Sequence, residues 1–249
     1  MNRVISFPAA ALVAGLGAAC AGHRPPYNPF LVPQSHFTGA TRTIAVVPLT
    51  LPSDLPSAEP VRAAFDSVVE TVLRGAGFAV VPARATQPIW TRISDSLARA
   101  NVANEMPDSI KFQCACVLVA RELADRFKVD AVLFTRIVVV AADFRDGTAK
   151  WDGTEQSYMS TGKKFLSLFS GETTYGTSPA LSLEILIADT HGTPEYRNRG
   201  GIQLRAKPAG DQFVDVPMDQ LLANRARNAA AAHIALEPLV TSSTPPQGN

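Results

Sequence analysis

"VDAVLFTRIVVVAADF", residues 129–144, is the longest β-forming run in the chain. Its Val, Ile, Leu and Phe residues are nearly continuous. That is the composition of a central strand covered on both faces of a sheet. One residue interrupts it. Arg136 shares a strand face with Phe134 and Val138, because side chains alternate with a period of two. Buried there, Arg136 needs a carboxylate partner. At the sheet rim or under a loop it does not, and the sequence leaves both placements open.

Upstream, "TRTIAVVPLT" (41–50) reads as a buried strand ended by Pro48. "PVRAAFDSVVETVLRGAGF" opens with Pro60 at a favoured first helical position. Val61, Phe65, Val68, Val69, Val72 and Leu73 then form one apolar stripe, and Gly75 and Gly77 close the helix. "FAVVPA" (78–83) is a second strand. "QPIWTRISDSLARAN" (87–101) and "SIKFQCACVLVARELADRFK" (109–128) are two further helices.

Downstream, "AKWDGTEQSYM" (149–159) follows the turn at Asp146-Gly147 and reads as an antiparallel partner of the central run. Within it Trp151 packs on the sheet and Asp152-Gly153 turns the chain. Residues 160–179 read as an irregular excursion. A hairpin follows, with strands at 180–188 and 194–205. An Ala-rich helix within 218–240 ends the fold. Early strand–helix–strand units with later strand–strand pairs predict an α/β (α+β) sandwich: a mixed β-sheet with helices packed on it, as a single domain over 40–240.

The amino-terminal segment carries a different message. Arg3 precedes an apolar run from Val4 to Ala19 that is too short and too rich in Ala and Gly for a dependable membrane span. Residues 1–19 therefore read as a signal peptide. "LGAAC" (16–20) resembles the lipobox of bacterial lipoproteins, with Ala18 and Ala19 before Cys20; it departs from it in having Gly17 at the large aliphatic position, with Leu16 one step further back. The resemblance implies cleavage before Cys20, a diacylglycerol on its thiol and an acyl chain, palmitate for example, on its new amino group. More than one acyl chain anchors a domain stably. Ala21 follows the cysteine, which by the same resemblance favours the outer membrane, facing the periplasm. Ordinary secretion after an A-x-A-like site is the plainer alternative. Residues 20–39, with Pro25, Pro26, Pro29 and Pro33, are expected to be a tether without helix or strand, and 241–249 a frayed tail.

"IAVVPL", an amphipathic helix, "GAGFAVVP" and a helix ending in "FKVDAVLFTRI" together resemble the amino-terminal domain of TolB and related envelope lipoproteins. Those relatives include the curli secretion channel lipoprotein and the lipoprotein activators of penicillin-binding proteins. The resemblance covers about residues 41–140, and "LSLEILIADTHGTPEYRNRGG" fits the hairpin that follows. It implies a non-enzymatic domain that binds other envelope proteins, often with self-association.

Composition narrows the function classes. Hydrophobic residues make up 46% of the chain and charged residues 18%, which is globular rather than disordered. The net charge of +1, with no basic stripe, argues against a nucleic-acid surface. Cys114 and Cys116 are two apart. On a helix they point away from each other, and on a strand they sit near the upper limit for a bridge. Two buried thiols, or one buried and one exposed, are expected. His23, His36, His191 and His233 are scattered, so no zinc set and no cofactor is expected beyond the lipid on Cys20.

No catalytic residues emerge. Around "MSTGKKF" (159–165), the preceding Ser157 stands where a phosphate loop needs its first glycine, and Lys164 where it needs Ser or Thr. "LFSGET" is no nucleophile elbow. The surface candidate is the stretch 162–178, which mixes Lys163 and Lys164 with Phe165, Leu168, Phe169 and Tyr175. It reads as a partner-docking loop, as a membrane contact, or as a plug for the end of the sheet. The combined expectation is an outer-membrane-anchored interaction module that meets envelope proteins and possibly copies of itself. A subunit of an oligomeric secretion channel and a lipid-tethered hydrolase are the alternatives.

Overall fold

The 129–144 run forms the centre of the sheet, as strand β3 (Ala131–Arg145). In the computed structural model its first residues pair in parallel with β1 (Thr43–Val46). That strand pairs, also in parallel, with β2 (Ala79–Val81). Along its other side all of β3 pairs antiparallel with β6 (Tyr175–Asp189), and β6 with β7 (Pro194–Leu204). The far end of β3 also carries a small hairpin, β4 (Thr148–Trp151) and β5 (Thr154–Ser157). The structure describes residues 27–52, 55, 59–101, 108–157, 175–209, 212–217 and 220–242.

Helices cover both faces of this mixed sheet. Residues 34–40 form α1 (Gln34–Ala40), the stripe beginning at Val61 lies on α2 (Glu59–Gly75), and the Ala-rich helix is α5 (Arg225–Ser242). These three share a core with one face. There Phe37, Phe65, Val69, Ala232 and Leu236 meet Ile44, Leu133, Leu183 and Ile185. The opposite face takes α3 (Ala83–Asn101) and α4 (Asp108–Phe127), whose Ile89, Ile93, Val119 and Leu123 pack on Ala45, Val47, Val132 and Phe134. Alternate β1 residues thus enter opposite cores, the pattern of a strand buried on both sides. A third cluster joins Phe144 and Trp151 over Ala180 and Leu204 at the far end.

The alanines of α5 have a geometric purpose. Gly200 of β7 lies so close to that helix that a Cβ there would be 1.9 Å from the Ala231 carbonyl oxygen. The Tyr196 hydroxyl then donates to the Ala235 carbonyl at 2.6 Å, fixing helix to strand.

Several expectations need correction. Residues 20–39 are not wholly tether: α1 begins at Gln34, and Phe30 is buried edge-on against Tyr196 with Phe37 buried against Phe30. Two aromatic anchors outweigh the local proline content. The partner strand expected at 149–159 is two strands, split at the turn where Asp152 and Gly153 both have positive φ, and Trp151 is buried as expected. The strand expected from residue 180 starts at Tyr175, inside the excursion, because the pairing with β3 extends that far. A further hairpin, β8 (Ala206–Ala209) with β9 (Gln212–Asp215), had no counterpart in the sequence reading. Cys116 is buried and Cys114 half-buried, and both are free thiols. Among the described residues, no helix is long and apolar enough to cross a membrane.

Candidate functional site

Arg136 finds the carboxylate it needs. In the sheet register Arg136 of β3 is opposite Glu184 of β6, and Glu184 is opposite Arg199 of β7. Directly opposed residues share a face, so the three side chains form one row across three strands. Arg197 sits two residues before Arg199 on β7 and joins them. Glu184 is 2% exposed, while the three arginine side chains keep 30%, 47% and 39% exposure for Arg136, Arg197 and Arg199.

The hydrogen bonds are specific. Glu184 Oε1 accepts from Arg197 Nε and Nη2 at 3.0 and 2.7 Å, and from Arg199 Nε and Nη2 at 3.1 and 3.0 Å. Glu184 Oε2 accepts from Arg136 Nε. Burial alone would raise the Glu184 carboxyl, but the hydrogen bonds and charges of Arg136 and Arg197 overcome it and hold the group below its ordinary range. The carboxylate therefore works as a fixed hub that orients three guanidinium forks. The Arg136 guanidinium also lies 4.7 Å from the centre of the Phe112 ring, a cation–π contact that holds it flat.

This row occupies a strip of the sheet that the helices leave uncovered. On one side stands Phe112 of α4. On the other stands the β4–β5 turn, where Asp152 Oδ2 accepts from Ser182 Oγ at 2.7 Å. Outward groups of β7 are engaged at two places. Arg197 N donates to the Pro29 carbonyl at 2.9 Å and the Tyr27 hydroxyl donates to the Arg197 carbonyl at 2.9 Å. Further along, Gly201 N donates to the Asp152 carbonyl at 2.9 Å. Between these clamps lies a hollow of about 610 Å³ that Tyr27, Asp152, Arg197, Arg199 and Ile234 help to line.

Chemically, guanidiniums outnumber carboxylates here, three against Glu184 and Asp152. Arg197 Nη1, Arg199 Nη1 and both Nη atoms of Arg136 make no hydrogen bond to another described residue. Planar, pre-oriented donors of this kind suit carboxylates and phosphates.

Of the stretch singled out in the sequence, Lys163, Lys164, Phe165, Leu168 and Phe169 lie outside the described residues, as does Cys20. Tyr175 is the first residue of β6 and is 82% exposed, far along the sheet from the arginine row. Glu184, Arg197 and Arg199 were missed, though a signal existed. Glu184 is the lone charge in "ALSLEILIA", and the two arginines alternate in "EYRNRGG". Among the described residues, no group of three His, Cys, Asp or Glu side chains is arranged to hold a metal ion.

No family model matches the chain, and no curated protein matches it. Among solved structures it is weakly similar to the PelC dodecamer from Paraburkholderia phytofirmans. A single-substitution form of that protein is 12% identical at a TM-score of 0.35, with 80% of this chain and 90% of that chain covered. A second crystal form gives 11% identity and a TM-score of 0.34, covering 80% and 88%. A likeness of this size assigns neither a shared fold nor a shared role.

Proposed function

We propose that the protein is a lipid-anchored, non-enzymatic binding module on the periplasmic side of the bacterial outer membrane. Its arginine row meets an acidic segment of another envelope protein. The observation that carries the reading is the set of Arg136, Arg197 and Arg199 oriented by one buried carboxylate on an uncovered strip of sheet. The entropy of ordering three long side chains is largely spent before any partner arrives, which favours tight recognition. The lipobox resemblance at Cys20 supports the anchor. The TolB-like pattern over 41–140 supports an envelope role without catalysis.

The test is photo-crosslinking in intact cells. A photoreactive residue replaces Val138, the neighbour of Arg136 on the same strand face. A second version carries it at Leu118, an exposed position on α4. The reading expects one discrete adduct with a second protein from position 138, absent from position 118 and lost in R197E/R199E. No adduct, or one that survives the charge reversal, overturns it. If the adducts from position 138 are only with further copies of this chain, and light scattering shows a ring, the channel reading replaces the adaptor.

A further inference from the structure

A second site flanks the arginine row, on the side of β3 away from β7, where Thr50 is bridged to Arg136. The chain leaves β1 for α2 on one face and leaves β2 for α3 on the other. Adjacent parallel strands whose connections part in this way open a crevice beyond their carboxyl ends, the usual ligand position in sheets of this type. The crevice is present here as a cavity of about 630 Å³ between the segment after β1, the start of α3 and the facing sides of both helices. That volume lies within the usual range for small-molecule sites.

Among the described residues, the polar groups of this cavity are incompletely paired. Thr50 Oγ1, Arg62 Nε and Ser94 Oγ are all buried and lack a hydrogen-bond partner among the described residues, and all three residues line this one cavity. They come from three different segments. Buried polar atoms are normally satisfied, so their concentration in one place marks groups awaiting a partner. Among the described residues, Arg62 has as ion-pair contact a 4.0 Å approach of its Nη1 to Glu59. One helical turn further, Asp66 accepts from Leu49 N at 3.1 Å, and no cation among the described residues pairs with it at salt-bridge distance. Burial, with smaller contributions from Glu70 and Glu59, pushes its carboxyl up to about 7 against the pull of the Leu49 amide and Arg62.

We infer that this cavity binds a small zwitterion of the amino-acid type, its carboxylate on Arg62 Nε and its ammonium on Asp66. Residues four apart on a helix lie about 5–6 Å apart at Cβ, a spacing that suits the two ends of such a molecule. The hydroxyls of Thr50 and Ser94 complete its hydrogen bonds. A simple anion would meet Asp66, Glu59, Glu70 and Asp95 in the same lining. A simple cation would leave Arg62 Nε unsatisfied and face Arg84. The cavity is distinct from the hollow beside Arg197 and Arg199, although Thr50 adjoins Arg136 through the backbone.

The experiment is calorimetric titration of the full-length, detergent-extracted protein at pH 7.5 with each of the twenty protein amino acids, and with glucose and ethylamine. At least one amino acid is expected to bind with a Kd below about 1 mM. Asp66→Asn and Arg62→Gln are each expected to weaken it tenfold or more. Ammonium docking favours the ionised form of Asp66, whose charged surroundings are Glu59, Arg62, Glu70 and Arg74 on α2 and Arg84 and Asp95 on α3. The protons still held at pH 7.5 are therefore released, more of them at pH 6.5, and the heat must differ between buffers of low and high ionisation enthalpy, the more so at the lower pH. Thr50→Val keeps the side-chain shape and removes one orphan hydroxyl. It is expected to weaken binding while leaving the free protein at least as stable, which separates ligand loss from misfolding. The inference is overturned if no amino acid binds at about 10 mM. It is equally overturned if binding survives Asp66→Asn unchanged, or if only glucose or only ethylamine binds.

Discussion

Arg136 and Arg199 stand on opposite sides of Glu184, one strand away on each side, and the same carboxylate holds both. Removing the carboxylate therefore leaves like charges packed together with their shared partner gone. Glu184→Gln is expected to cost about 2–4 kcal/mol, below the full loss for a wholly buried pair because the arginines keep some solvent. The sign with pH follows from the lowered carboxyl. Its stabilisation is present above the ordinary glutamate range and lost as pH falls through the lower folded value. Urea unfolding at pH 7 and pH 3 is the measurement: the gap between Glu184→Gln and the parent must shrink at the acid end.

Asp66 has the opposite sign. Burial pushes its carboxyl up from the ordinary 3.8 to about 7, so the folded state holds that proton more tightly. Stability from this group is complete below the unfolded value and lost as pH rises towards 7. Asp66→Asn keeps an acceptor for the Leu49 amide and cannot ionise. It is expected to gain about 1–2 kcal/mol at pH 8, after allowing for solvent at the cavity mouth, and nothing at pH 4. Unfolding curves at the two pH values would show it.

Gly200→Ala places a methyl group against main chain that has no room to give, since Ala231 belongs to the helix itself. Moving α5 off β7 would also stretch the bond from Tyr196 to Ala235. A loss of about 3 kcal/mol is expected. Thermal unfolding by circular dichroism tests it, and a melting temperature equal to the parent's would contradict the close approach.

The two thiols of α4 should differ in reactivity. Burial pushes the Cys116 thiol up to about 12, against the pull of Arg136, so almost no thiolate exists at pH 8. Cys114 is half-buried. Maleimide labelling of the native protein at pH 8, mapped by peptide mass, is expected to modify Cys114 and spare Cys116 until denaturant is added.

The sequence made the sheet legible where burial imposes a period. The double-sided burial of β1 and β3 and the stripes of α2 and α4 follow directly from residue spacing. Helix α1 was hidden because "QSHFTGA" has too few apolar residues to reveal a period, and its place is set by Phe37 in a distant core. The β8–β9 hairpin is four residues a side and includes Pro208, so no run announced it. Arg136 was noticed as an anomaly, but its partner is 48 residues away and depends on strand register. The orphan atoms of Thr50, Arg62 and Ser94 had no sequence signal, because a missing hydrogen bond is a property of the assembled cavity.

The attachment of Tyr27 to Arg197 has a consequence for geography. The chain enters the domain at the very corner where the arginines lie. With Cys20 lipidated as proposed, seven residue steps separate the bilayer from that corner, at most about 25 Å of extended chain. So short a leash keeps this corner close to the lipid surface however the rest of the domain turns. A partner resident in the same membrane then meets it by lateral diffusion in two dimensions, and one free in the periplasm has to reach down to the bilayer to compete.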